Sequence, residues 1–207
     1  MPKFAAGIVI TLALLAVVSQ LALPAYFEGR VESRLEEDGG SAEVSIGAFP
    51  ALTLIGGRGK ELKGTGEGLK FDIDDRRDDP LGRLDGFEEV DLRLTDTEVG
   101  AIGMSHFDLH RDGRDSPYTM RVEARATPRE LARQLGSAAG GPLGGLVASL
   151  GSEFLPGAGS TEVPLELTAR VNSRDGRAEV TDAQGAVAGI PAGPLAEIVL
   201  GTVLDRL

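Results

Sequence analysis

The chain has 207 residues and no cysteine, which excludes disulfides, thiol chemistry and a cysteine-based zinc site. Its formal net charge is −11, aromatic residues make up 4% and tryptophan is absent, so it lacks both the clustered Lys and Arg that nucleic acid requires and the stacking platforms that single strands use. The same charge argues against electrostatic recruitment to anionic lipid headgroups, and the length suffices for one domain with a real core or at most two small ones.

Residues 4–23, FAAGIVITLALLAVVSQLAL, carry no charge. As a helix at about 1.5 Å per residue, such a run extends roughly 30 Å, one hydrocarbon core. Lys3 precedes it, which keeps the N-terminus cytoplasmic and sends the rest of the chain outside. The rival is a cleaved signal segment, whose apolar region is usually about 7–15 residues with a small-x-small cleavage site. This run is longer, and Pro24 spoils the site in LALPAY. The expectation is a single-pass protein of the cell membrane, with an anchor over residues 1–24 and one extracytoplasmic domain over 25–207.

After Pro24, Phe27, Val31 and Leu35 recur every four residues, with Glu28, Glu32, Arg34 and Glu36 on other faces. This predicts a short amphipathic helix continuing from the span and stopped by Gly39-Gly40, with Tyr26 in the interfacial belt. Period-two alternation then takes over at Val44 and Ile46, at Leu69, Phe71 and Ile73, at Val90, Leu92 and Leu94, at Tyr118, Met120 and Val122, and from Val163 through Leu165 and Leu167 to Val171. One apolar and one polar face per strand is the mark of an antiparallel sheet. The segment around 87–99 is long for a strand, and SRDG at 173–176 reads as the hairpin turn into RAEVTD.

Two helical signals interrupt the strands. TPREL at 127–131 is a capping box with proline at the first helical position, and residues 142–157 form an apolar segment weakened by glycine. The C-terminus reads as helical from about Pro194. The fold class expected is α+β: an N-terminal transmembrane helix followed by an antiparallel sheet packed on helices.

Signals for catalysis are weak. There is no G-x-S-x-G elbow, no phosphate loop and no HExxH. GTGEG at 64–68 fits no nucleotide motif and reads as a flexible or bulged strand. His106, Asp108 and His110 share one face of a strand, but residues two apart lie about 6.8 Å from each other, too spread to converge on one ion. They read as the wet face. DIDDRRDDP at 72–80 lacks the Gly and closing Glu of a calcium loop and reads as a solvated loop. No catalytic residue, metal or cofactor is expected.

One stretch stands out. Residues 51–55, ALTLI, follow Phe49-Pro50 and hold Leu52, Leu54 and Ile55 in an uncharged connection that something apolar must cover. They predict a turn or short helix, either at the mouth of a lipid-facing side or as a core plug. The surrounding pattern of Val44, Ile46, Phe49, Pro50, Leu52, Thr53, Leu54, Gly56, Gly57 and Arg58, with Gly66, Gly68 and Leu69 behind it and TPRELA later, resembles the LmeA-like phospholipid-binding family of bacterial cell-envelope proteins. The likeness runs from the N-terminal segment to about residue 135, while the C-terminal GIPAGPLAEIVLG departs from it. The resemblance implies an exported, envelope-associated protein that binds phospholipid without catalysis, built on a curved sheet packed on helices like half of a tubular lipid-binding module. The candidate lipid-binding residues are Leu52, Leu54, Ile55, Leu92, Leu94, Met120, Val122, Leu165 and Leu167. The expected partners are phospholipid or another envelope lipid, and the membrane through residues 4–23. The alternative is a non-catalytic envelope assembly factor that docks a partner protein through the polar face of its sheet.

Overall fold

The computed structural model describes residues 2–71, 80–99, 102–127, 162–174, 177–187 and 189–191; the side chains of residues 2–17, 21, 80, 174, 177 and 190 lie outside that description. The expected helices at 127–131, at 142–157 and from Pro194, the acidic loop before Pro80 and strand residue Ile73 also fall outside it, apart from Thr127 itself.

Helix α1 (Pro2–Leu35) is continuous through Pro24. The expected anchor and the amphipathic segment are thus one helix. Among the described residues no helix is long and apolar enough to cross a membrane, so the span at 4–23 rests on the sequence alone. Strand β1 (Ser41–Gly47) leads into a 3-10 helix at Ala51–Gly56 and strand β2 (Gly59–Glu67). A short β3 (Lys70–Phe71) and helix α2 (Pro80–Leu84) precede the long β4 (Phe87–Val99). Strands β5 (Ile102–Arg111), β6 (Tyr118–Ala126), β7 (Val163–Arg174), β8 (Arg177–Val187) and β9 (Ile190–Pro191) complete one sheet. Its order is β1-β2-β4-β5-β6-β7-β8-β9, with β3 also on β4.

The sheet is mixed, which corrects the purely antiparallel expectation. β2 and β3 both run parallel to β4, and every other pairing is antiparallel. Alternation reports a half-buried strand whatever the direction of its neighbour. The connection permits the parallel direction: residues 68–86, holding β3 and α2, are long enough for the crossover that parallel strands need. The first four residues of GTGEG are likewise regular strand in unbroken register with β1, and Gly68, at φ 66°, lies just past the end of β2. Its glycines make room for neighbours: a Cβ on Gly66 would come 2.6 Å from Leu69 Cδ1, and one on Gly64 2.9 Å from Leu92 Cδ2.

Two bulges interrupt the ladder. Ser105 is unpaired between Met104 and His106, and Thr181 is unpaired opposite Arg170 and Val171. Each bulge residue turns its hydroxyl onto a carbonyl across the ladder, Ser105 Oγ donating to Glu123 O (3.1 Å) and Thr181 Oγ1 to Arg170 O (3.2 Å). A bulge bends its strand and reverses which residues face inward. Along β5, Phe107 and Leu109 therefore share a face with Met104.

The exposed edge of β1 is satisfied by α1. Glu28, Glu32 and Glu36 accept through Oε1 from the backbone N–H of Ile46 (2.7 Å), Val44 (2.8 Å) and Ala42 (2.8 Å). The match is geometric, since four helical residues rise about 6 Å and two strand residues about 6.6 Å. Leu23, Phe27 and Leu35 of α1 pack alongside on Val44, Ile46, Leu54 and Leu62. Val31, expected on the same apolar stripe, is 36% exposed.

The crossover is locked by Arg111, which is 3% exposed. Its Nη1 lies 3.0 Å from Asp85 Oδ1, and its Nη2 donates to the carbonyls of Leu84 (3.1 Å) and Phe87. Tyr118 Oη donates to Asp85 Oδ1 (2.9 Å), Ser173 Oγ to Asp85 Oδ2, and the guanidinium carbon sits 4.4 Å from the Tyr118 ring centroid. Leu81 of α2 joins Val90, Leu109, Tyr118, Ala169 and Val171 in the core beneath it.

Removing one partner of a buried ion pair strands the other charge. Asp85→Ala is expected to lower unfolding free energy by about 3–5 kcal/mol in a denaturant titration. Hydrogen bonds to a charged acceptor contribute about 1.5–3 kcal/mol. Glu32→Ala is expected to lower stability by up to that amount and to speed hydrogen exchange at the Val44 amide, leaving central strands protected.

Candidate functional site

The register assembles the expected strand residues into rows on one face. Leu92 (β4), Leu109 (β5), Met120 (β6) and Ala169 (β7) stand opposite one another in sequence across the sheet. The next row is Leu94, Phe107, Val122 and Leu167, and a third is Met104, Ala124, Leu165 and Val187. Six of the nine candidate residues, Leu92, Leu94, Met120, Val122, Leu165 and Leu167, are thus on one continuous apolar surface. Phe107, Leu109 and Met104 belong to it as well. Phe107 and Leu109 are the apolar alternation of HFDLH expected in the core, whereas the bulge at Ser105 hides the phase of Met104 from the sequence.

Burial is graded across these rows. Near α2, Val90, Leu109, Tyr118, Ala169 and Val171 are all buried. One row away, Leu94, Phe107, Val122 and Leu167 are each half-buried. Leu165 is buried with Ala124 and Ala126 in a smaller cluster that Ile102, Met104, Val122 and Val187 flank. The half-buried row therefore lies between two more deeply buried clusters, one under α2 and Arg111 and one around Leu165.

The remaining three candidates lie apart, at the β1 edge. Leu54 is the plug, 6% exposed and packed on Val44, Ile46 and Leu62. Leu52 and Ile55, on the same 3-10 helix, point the other way and are 57% and 68% exposed. The core-plug expectation thus describes Leu54, while Leu52 and Ile55 are left exposed.

The opposite face is polar. Ion pairs run along single strands: Glu61 with Lys63, Asp91 with Arg93 (2.9 Å), His106 with Asp108 (2.8 Å) and Arg121 with Glu123 (2.8 Å). Exposed pairs of this kind contribute little to stability and keep the face wetted. The hydrogen bond to Glu61, with its charge, raises the Lys63 ammonium above its ordinary 10.5. Ser105, His106, Asp108, Arg121 and Glu123 line a shallow open depression of about 470 Å³. Among the described residues no group of three or more His, Asp or Glu side chains is arranged to hold a metal ion, and His110 pairs instead with Asp112 (2.7 Å).

The grading in burial makes a measurable difference between two leucines of similar chemistry. Leu109→Ala, in the cluster under α2, is expected to cost about 2–5 kcal/mol in an unfolding titration, because the cavity it leaves collapses only partly. Leu94→Ala, in the half-buried row, is expected to cost clearly less. No family model, curated protein or solved structure matches the chain.

Proposed function

We propose that this is a membrane-anchored, non-catalytic phospholipid-binding protein of the bacterial cell envelope, held by residues 4–23 with its sheet outside the cytoplasmic membrane. The observation that carries the reading is the half-buried row of Leu94, Phe107, Val122 and Leu167, four apolar side chains from four adjacent strands. At about 4.8 Å between neighbouring strands the row is roughly 14 Å long. It offers hydrocarbon contact with no charge in it, the kind of lining an acyl chain needs. The resemblance to the LmeA-like family supports the same ligand, and the bulged sheet is then one bent half of a tubular lipid-binding module. The role that follows is lipid handling or envelope maintenance.

A second reading is favoured by a different observation, the open polar depression around His106, Asp108, Arg121 and Glu123. There the protein is an envelope assembly factor, and the polar face docks a partner protein over a filled core.

Native mass spectrometry of the full chain in mild detergent separates the two. Lipid binding predicts co-purified phospholipid in the parent protein. Leu94→Asp is expected to abolish it, since an unpaired charge beside hydrocarbon costs several kcal/mol. Arg121→Ala combined with Glu123→Ala is expected to leave it in place. A parent protein free of lipid, together with core-sized losses for every truncation along the half-buried row, would transfer support to the assembly reading.

A further inference from the structure

Phe49, Leu52 and Ile55 are 86%, 57% and 68% exposed, an unusual display of large apolar side chains within one short connection. The connection that presents them is well tied. Gln20 of α1 donates through Nε2 to Ala48 O (2.6 Å) and accepts through Oε1 from Ala51 N (2.9 Å). Thr53 N and Oγ1 both donate to Pro50 O, and Gly57, at φ 67°, closes the helix by donating to Leu54 O (2.9 Å). With Leu54 sunk in the core, the exposed three are held outward by a fixed frame.

Two further observations say what covers them. The first is position. Gln20 is the clamp, and it lies near the end of the uncharged run that starts at Phe4. Sixteen helical residues separate the two, roughly 24 Å at about 1.5 Å each, which brings the clamp close to the far boundary of a hydrocarbon core about 30 Å thick. Val18, two residues before the clamp, is itself 60% exposed. The second is charge. From Gly47 to Lys60 the chain has no carboxylate, and its two charges are Arg58 and Lys60, in a protein with a formal net charge of −11. An apolar tip with a basic rim suits the boundary between acyl chains and lipid phosphates.

We infer that the Phe49–Ile55 connection is a second membrane contact, inserted into the extracytoplasmic leaflet beside α1, with Arg58 and Lys60 against lipid phosphates. It rests on reading α1 as the anchor, and it adds that the sheet is seated on the bilayer at its β1 edge rather than swinging from a tether. The whole-chain charge argues against recruitment from solution; a local basic rim on an already anchored chain meets no such objection.

The absence of cysteine makes the test clean. Leu52→Cys, Ile55→Cys, Ala13→Cys and Glu179→Cys full-length variants are each labelled with an environment-sensitive fluorophore. They are then reconstituted into phosphatidylcholine–phosphatidylglycerol vesicles containing lipids that carry a quencher at shallow or deep acyl positions. The expected result is shallow quenching at 52 and 55, deep quenching at 13 and none at 179. Deep quenching at 13 with 52 and 55 behaving like 179 would overturn the second contact while leaving the anchor intact. No quenching at any site, 13 included, would remove the anchor and the contact together. Blue-shifted emission at 52 and 55 without lipid quenching would mean that protein covers the patch, and would also overturn the inference.

Discussion

An edge strand presents a row of backbone N–H groups that must be satisfied, and in this protein helix α1 satisfies them with carboxylates. Glu28, Glu32 and Glu36 reach Ile46, Val44 and Ala42 in turn, each step of four along the helix meeting a step of two along β1. This blunts an edge that would otherwise invite another chain. It also fixes the helix in both height and rotation relative to the sheet. The consequences spread from there. Leu23, Phe27 and Leu35 are brought onto Val44, Ile46 and Leu54, and Gln20 arrives opposite Ala48 and Ala51. The β1 edge and its 3-10 helix are thereby carried at a set distance from α1.

The middle of the sheet depends on a buried charge. Arg111 projects from β5 onto the apolar face, where an unpaired guanidinium would be costly. The turn after α2 resolves this by laying the Asp85 carboxylate and the carbonyls of Leu84 and Phe87 against it. Asp85 in turn takes hydrogen bonds from Tyr118 and Ser173, on β6 and β7. A single acidic side chain thus ties the crossover to three adjacent strands. Gly86 is part of the same fit: a Cβ there would lie 1.8 Å from Gly57 O, so the crossover turn and the end of the 3-10 helix touch through backbone.

Between these two fixtures lies the apolar face. One end is sealed by α2, and the half-buried row of leucine, phenylalanine and valine from four strands lies between it and the buried cluster around Leu165. The proposed lipid function and the proposed membrane contact both use this geometry. If the β1 edge is seated on the bilayer, the end of the face nearest the membrane is the one that α2 and Arg111 close, and the half-buried row lies farther along the strands. The bulges at Ser105 and Thr181 contribute by bending long strands that would otherwise lie flat.

The alternation of apolar and polar residues was enough to set the strands and their faces, from Val44 and Ile46 to the row of Leu165 and Leu167, because a half-buried strand leaves a period of two wherever it sits. The lack of charge in ALTLI was what set that connection apart. Strand direction was invisible, since β2 and β4 alternate alike whether parallel or antiparallel, and only the pairing in the folded sheet decided it. The glutamates of α1 looked like a solvated face because a helical pattern records hydrophobicity, not the backbone donors on a neighbouring strand. Arg111 fell in phase with the apolar residues of β5, and its partner Asp85 is remote in sequence, so nothing local pointed to the pair. Leu52, Leu54 and Ile55 are chemically alike along the chain. The tertiary structure separated them, sinking Leu54 and turning Leu52 and Ile55 outward, because Gln20 and the turn at Gly57 fix the orientation of the 3-10 helix against the sheet.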